Sequence, residues 1–294
     1  MRGLAEGRPS VMGIVNVTPD SFSDGGRYLD PGEAVAHGLE LAAAGADVLD
    51  VGGESTRPGA APVEAGEEIR RVVPVVRALA AAGGVPVSVD TVKASVAVAA
   101  LEAGASIVND VSAGRADPDM LPVVAGAGAG YVAMHMLGTP ATMQDDPRYD
   151  DVVVEVGDFL EERLEAAAGA GIALEGLMAD PGIGFGKTRA HNLELLRRLP
   201  ELVARLAPVP VLVGTSRKAF IGQVLAGPDG ASLPAGEREE GTLATVVWAF
   251  DHGAAMVRVH DVRPAAEAAR LLAALAAASP SDPDLEVTWR PLVR

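Results

Sequence analysis

The chain has 294 residues, 49% of them hydrophobic, with a formal net charge of −16 and no cysteine. The acidic balance argues against a nucleic-acid backbone or an anionic membrane surface as main partner, so an anionic substrate must be held by a few local bases. Without cysteine there are no disulfides, zinc thiolates, iron–sulfur clusters or thiol nucleophiles.

The first ten residues, MRGLAEGRPS, lack the basic start and apolar core of a secretory signal. No apolar run reaches the roughly 20 residues that span a bilayer, and the expectation is a soluble, cytoplasmic protein. A predicted strand at 11–16 (VMGIVN) runs into NVTPDSFSDGG at 16–26. Pro19 lacks an N–H and Gly25-Gly26 cost backbone entropy, so this stretch is a loop. Further strands are predicted at 47–52, 85–90, 105–110, 130–135, 176–180, 210–215 and 255–260. Helices are predicted at 31–44, 64–82, 93–103, 117–127, 150–170, 190–206, 216–225 continuing at 238–252, and 264–277. Asp30-Pro31 sets a cap before a proline at the first helical position, with Asp117-Pro118 and Arg263-Pro264 similar in outline. Gly45, Gly83, Gly104, Gly128 and Gly171 mark helix ends.

These elements make eight β/α units. Nearly continuous apolar strands indicate burial on both faces, as in parallel sheets. Alternation without a charged linker favours an α/β fold of the (β/α)8 TIM-barrel type over an open doubly wound sheet, whose GxGxxG fingerprint is missing. The expected organisation is one domain over 1–294, with its core at about 11–278, a surface insert at 227–237 and a tail from 279 without assigned role.

Barrel sites lie at the C-terminal ends of the strands. There the sequence places Asn16, Asp50, Asp90, Asn109-Asp110, His135, Asp180, Thr215-Ser216 and His260-Asp261. Asp90, Asn109 and Asp180 suit a fused nitrogen heterocycle whose 2-amino group and ring N–H one carboxylate accepts together. Metal ligation competes for the same residues but lacks an obvious further ligand. Lys218, Arg258, His260 and Arg57 form a cationic group, and Arg258 and His260, two apart on one strand, share a face. A phosphate or pyrophosphate accounts for Arg258, with Ser216 and the helix start after Thr215 adding donors. A structural salt bridge from Arg258 to Asp261 or Asp180 is the alternative. DPGIGFGKT at 180–188 is not a P-loop, because Pro181 stands where a glycine is required. Gly182, Gly184 and Gly186 instead suggest close backbone approach to a flat ligand, with Phe185 against it.

NVTPDSFSDGG, GGESTRPG, VSVDT, VNDVSA, MHMLGTPATMQ, DPGIGFGKT, VGTSRKAFIG, EEGTLATVVWA and VRVHDV occur in this order over 11 to about 275. Together they resemble the dihydropteroate synthase family of pterin-binding TIM barrels. The resemblance implies a transferase of folate biosynthesis that joins 6-hydroxymethyl-7,8-dihydropterin pyrophosphate to p-aminobenzoate, using Mg2+, through an SN1-like displacement. It implies a pterin slot of Asp90, Asn109, Met134, Asp180, Phe185 and Lys218, with Asp90, Asp180, Lys218 and Arg258 as the catalytic set. It puts pyrophosphate on Asn16, Arg57, Ser216, Arg258 and His260, with the metal at Asn16. It puts p-aminobenzoate, and competing sulfonamides, on Phe22, Thr56, Pro58 and Lys218, with Asp24 and Arg57 closing mobile loops. A homodimer is also implied. SRKA replaces the usual SRKS, so Ala219 offers no hydroxyl to the p-aminobenzoate carboxylate. The alternatives are a catalytically silent pterin-binding paralogue and a pterin-dependent methyltransferase; the second leaves the first loop and STRPG without purpose.

Overall fold

Strands that are buried along their whole length must lie between other layers. The computed structural model, which describes residues 4–18, 31–56, 59–228 and 230–278, places them between an apolar interior and a coat of helices. In chain order the elements are β1 (Ser10–Asn16), α1 (Pro31–Ala43), β2 (Val48–Gly52), α2 (Ala65–Ala82), β3 (Val87–Asp90), α3 (Ala94–Glu102), β4 (Ile107–Asp110), α4 (Met120–Ala127) and β5 (Gly130–Met134). There follow α5 (Val152–Gly169), β6 (Leu177–Asp180), α6 (Arg189–Arg197), α7 (Leu199–Leu206), β7 (Leu212–Val213), α8 (Ala219–Val224), α9 (Glu239–Asp251), β8 (Met256–Val259) and α10 (Val262–Ala277).

All strand pairs are parallel, in the order β6-β5-β4-β3-β2-β1-β8-β7. A single bridge, Ala179 to Val211, joins the two ends of that order, with the Ala179 N–H donating to the Pro210 carbonyl at 3.0 Å. The result is the expected eight-stranded barrel, nearly closed, and the open-sheet alternative is excluded.

Side chains alternate between the two faces of each strand. Met12, Val48, Ile107, Val132, Met178, Leu212 and Met256 form one apolar cluster inside the barrel, and Ser88 occupies the β3 position, its hydroxyl buried without a partner. Their neighbours, including Val11, Leu49, Val51, Val89, Val108 and Tyr131, pack outward against helix residues such as Val72, Val76, Leu79 and Leu160. Each such buried aliphatic side chain contributes roughly 1.5–3 kcal/mol.

Several boundaries differ from those predicted. The helix expected at 190–206 is two, α6 and α7, because Arg198 leaves helical geometry (φ −102°, ψ 20°) and Pro200 starts the second. The helix expected from 117 starts at Met120; Asp117 does serve the turn that leads into it, its Oδ1 accepting from the Asp119 N–H at 3.1 Å, and its Oδ2 also accepts from the Ala94 N–H at the start of α3 at 2.8 Å. The helix expected from 216 starts only at Ala219 and has six residues. Strand β7 spans two residues rather than 210–215. No helix among the described residues is long and apolar enough to cross a membrane.

Candidate functional site

Two residues beyond the apolar row, towards the C-terminal rim, the inward positions of the strands are Ile14, Asp50, Asp90, Asn109, Met134, Asp180, Gly214 and Arg258. The period of the strand thus stacks a polar layer directly on the apolar one. Asp50 and Arg258 complete that layer from strands at opposite ends of the sequence. The Arg258 Nε donates to Asp50 Oδ2 at 2.6 Å, and its Nη2 donates to Asp90 Oδ2 at 2.7 Å. Asn109 Nδ2 donates to the same Asp50 oxygen at 3.0 Å. Arg258 therefore does make a salt bridge, but to Asp50 and Asp90 rather than to Asp261 or Asp180. Asp50 is fully buried and its Oδ1 has no hydrogen-bond partner. An orphaned buried acceptor costs about 1–3 kcal/mol, more for a charged group. Such an arrangement is poor value as a stabiliser and marks a functional layer.

Asp180, at the end of β6, accepts the Gly182 N–H at 2.7 Å. Burial raises its carboxyl to about 6, although the Gly182 hydrogen bond and the charges of Lys218 and Arg258 pull the other way. Burial also raises Asp90, against the attraction of Arg258 and with repulsion from Asp50, Glu68 and Asp110 adding to the rise. Lys218 is lowered to about 8 by burial and by Arg258. Its Nζ lies 3.9 Å from the centre of the Phe185 ring, a cation–π contact that orients both. Met134 packs with Val111, Met136 and Met143 in a small apolar cluster that Val92 and Phe185 adjoin. Between the carboxylates, the amide and this apolar wall, the rim offers acceptors and a flat face to one planar ligand.

The backbone that carries Lys218 is strained in its favour. Arg217 has φ 58°, a conformation that costs an L-residue roughly 1–2 kcal/mol. It is held there by its N–H on Thr242 Oγ1 at 3.0 Å and by Arg238 Nη1 on its carbonyl at 2.8 Å. Ser216 lies in this turn rather than at a helix start, so its contribution is the hydroxyl, which is 2.9 Å from His260 Nδ1. Ser216, His260 and Arg258 are thus gathered near the ends of β7 and β8 as the sequence suggested. Asn16, half-buried, ends β1, which pairs with both β2 and β8. Thr56 is half-buried in the segment after β2. Phe22, Asp24, Arg57 and Pro58 lie outside the described residues.

Two glycines of DPGIGFGKT have a structural purpose that differs from the one expected. Gly182 (φ 64°) sits so close to β5 that a Cβ would lie 1.9 Å from the His135 carbonyl oxygen, and at Gly186 (φ 63°) one would lie 2.7 Å from Leu137. Only Gly184 faces the site, against the Lys218 stem. Behind the loop, Lys187 is buried with its Nζ 2.8 Å from His135 Nδ1 and donating to the Phe185 carbonyl at 3.0 Å. Burial, with Lys187 and Arg115 nearby, lowers His135 to about 2, so the neutral ring accepts from Lys187. His135 is therefore a strand-end histidine that braces the loop from behind.

Among the described residues no group of three or more His, Asp or Glu side chains is placed to hold a metal. The side-chain oxygen of Asn16 fits an ion that keeps waters and shares phosphate oxygens, as Mg2+ does, rather than one caged by protein.

Residues 12–260 match the family model for pterin binding enzymes. The chain is 52% identical over 271 residues to a dihydropteroate synthase of Mycobacterium leprae, covering 92% of this chain and 94% of the relative. To the dihydropteroate synthase of Escherichia coli it is 48% identical over 267 residues, with 90% and 91% covered. Among solved structures it is similar to Xanthomonas albilineans dihydropteroate synthase with 4-aminobenzoic acid, at 49% identity and TM-score 0.85 over 92% of this chain and 94% of that one. The same Xanthomonas enzyme in complex with 7,8-dihydropteroate gives 46% identity and TM-score 0.82, covering 92% and 95%. A Yersinia pestis dihydropteroate synthase with a sulfonamide drug complex gives 45% identity and TM-score 0.85, covering 92% and 95%.

Proposed function

From the premise that the chain belongs to the dihydropteroate synthase family of pterin-binding enzymes, transferases of folate biosynthesis, we propose how its own residues perform the condensation. The reaction joins 6-hydroxymethyl-7,8-dihydropterin pyrophosphate to p-aminobenzoate, giving 7,8-dihydropteroate and pyrophosphate. The observation that carries the assignment of roles is the polar layer itself: Asp90, Asn109, Asp180 and Arg258 on one inward register, with Lys218 and Phe185 beside it.

Asp180 accepts the 2-amino group and the adjacent ring N–H of the pterin, Asn109 meets the mixed edge, and Met134 and Phe185 cover the ring. Arg258, His260 and Ser216 take the diphosphate. Mg2+ bound at Asn16 would neutralise further charge on the leaving oxygens. The bond between the methylene carbon and the diphosphate oxygen breaks, and its electron pair leaves with the diphosphate. The electron-rich dihydropterin shares the positive charge left on the carbon, which Asp90 and Asp180 favour. The amine nitrogen of p-aminobenzoate then bonds to the carbon with its lone pair, and the anilinium so formed gives up one proton to the departing diphosphate or to water. An aniline is neutral at pH 7, so positioning by Phe22, Thr56, Pro58 and Lys218 matters more than a base. Sulfonamides compete for that place, and Asp24 and Arg57 close the loops over it. A homodimer and a cytoplasmic location complete the reading.

The test is pyrophosphate release that depends on both substrates. No release at all would indicate a silent paralogue, and release that is equally fast without the amine would be hydrolysis rather than synthesis. A secondary deuterium isotope effect above unity at the methylene is expected for the dissociative path, and a value near unity would count against it.

A further inference from the structure

The segment that leaves β2 is held at both ends through one carboxylate. Glu54 Oε1 accepts the Val63 N–H at 3.2 Å, and Glu54 Oε2 accepts from Lys93 Nζ. Lys93, in the loop after β3, also donates to Glu68 Oε2 at 2.5 Å. Glu68 belongs to α2, is fully buried, and has no partner for Oε1. The same root is gripped at Gly53, whose carbonyl accepts from Arg71 Nη1 at 2.9 Å and whose Cα is too close to Val72 to carry a Cβ, which would lie 2.8 Å away.

Two carboxylates sharing one ammonium, one of them entirely out of water, give less stability than an apolar pair of the same size would. Burial alone would lower the Lys93 ammonium, but the hydrogen bonds to Glu54 and Glu68 outweigh it and raise it, so the lysine stays charged. What the triad supplies is a fixed distance between α2, the loop after β3 and both ends of segment 54–63. None of its members belongs to the polar layer of the strands.

We propose that Lys93 is a positioning residue for the second substrate: through Glu54 it fixes both ends of segment 54–63 and thereby sets the affinity for p-aminobenzoate. This rests on the reading that places p-aminobenzoate against Thr56 of that segment. Amide hydrogen exchange reads the tether directly, and steady-state kinetics read its consequence. Glu54→Gln keeps Lys93 on Glu68 and so protects the fold, whereas Lys93→Met removes the ammonium. In Glu54→Gln exchange at Ser55, Thr56 and Val63 is expected to accelerate about tenfold while α2 and β3 keep wild-type rates; in Lys93→Met, which also leaves the buried Glu68 unpaired, α2 is expected to accelerate as well. The KM for p-aminobenzoate is expected to rise about tenfold and that for the pterin pyrophosphate less than about twofold. Lys93→Arg, which can still bridge both carboxylates, should restore exchange and KM together. Unchanged exchange in Glu54→Gln overturns the tether. Accelerated exchange with both KM values rising equally, or neither rising, overturns its assignment to p-aminobenzoate. Thr56→Val tests the underlying reading separately: an unchanged KM for p-aminobenzoate there removes the amine from this segment, while the exchange result still decides the tether.

Discussion

A buried carboxylate grips a row of N–H donors better than an exposed one only while it remains ionised. Asp180, raised to about 6 by burial, takes up a proton as the pH falls through that value and then can no longer accept two donors. Lys218, lowered to about 8 by burial, loses its charge as the pH rises through that value. Pterin affinity measured by calorimetry is therefore expected to be flat between about pH 6 and 8 and to fall on either side. Asp180→Asn should lose about a hundredfold or more at pH 7, because an amide presents one acceptor and two donors where two charge-assisted bonds of roughly 1.5–3 kcal/mol are needed. Unchanged affinity would remove Asp180 from the slot. The sequence showed most of these side chains, since polar groups at the ends of apolar strands stand out. It did not show the partner of Arg258, because Asp50 lies 208 residues away and looked like one more strand-end acid. Counting two residues on from the apolar inner row of each strand would have found it.

At the scale of elements, the glycine loop after β6 depends on close backbone approach more than on any side chain. Gly182→Ala must move a Cβ away from the His135 carbonyl oxygen and hold a positive φ, and should destabilise the protein by roughly 3 kcal/mol or more in denaturant unfolding. Gly126, inside α4 with nothing within 4 Å of where its Cβ would go, is the contrasting case. Gly126→Ala should stabilise by about 0.5–1 kcal/mol through helix propensity. If the two changes proved equivalent, the packing account of the loop would fail. Glycine punctuation and strand period were readable from sequence, and so every strand and almost every helix was found. Helix starts were less so, because a capping group can come from elsewhere in the fold: Asp117 serves the start of α3 as well as the turn before α4. The late start of α8 likewise follows from the Arg217 turn, which needs Thr242 and Arg238 to hold it.

For the whole molecule, the eightfold alternation of strand and helix was enough to choose the closed barrel, since each strand is apolar on both faces. How evenly the ring is closed was not readable, because that depends on how many residues of β7 find partners on each side. β7 pairs with β8 over two residues and meets β6 through the single Ala179–Val211 bridge, whereas β1 and β2 pair over five. Amide hydrogen exchange should therefore be faster at Ala179 and Val213 than in β1 and β2, and equal protection around the ring would contradict this. In mechanical terms the barrel is a hoop with one seam, and a hoop under strain opens at its seam. That seam runs between Asp180 and the turn that carries Lys218, so the two walls proposed to grip the pterin ring are the pair with the fewest backbone ties between them.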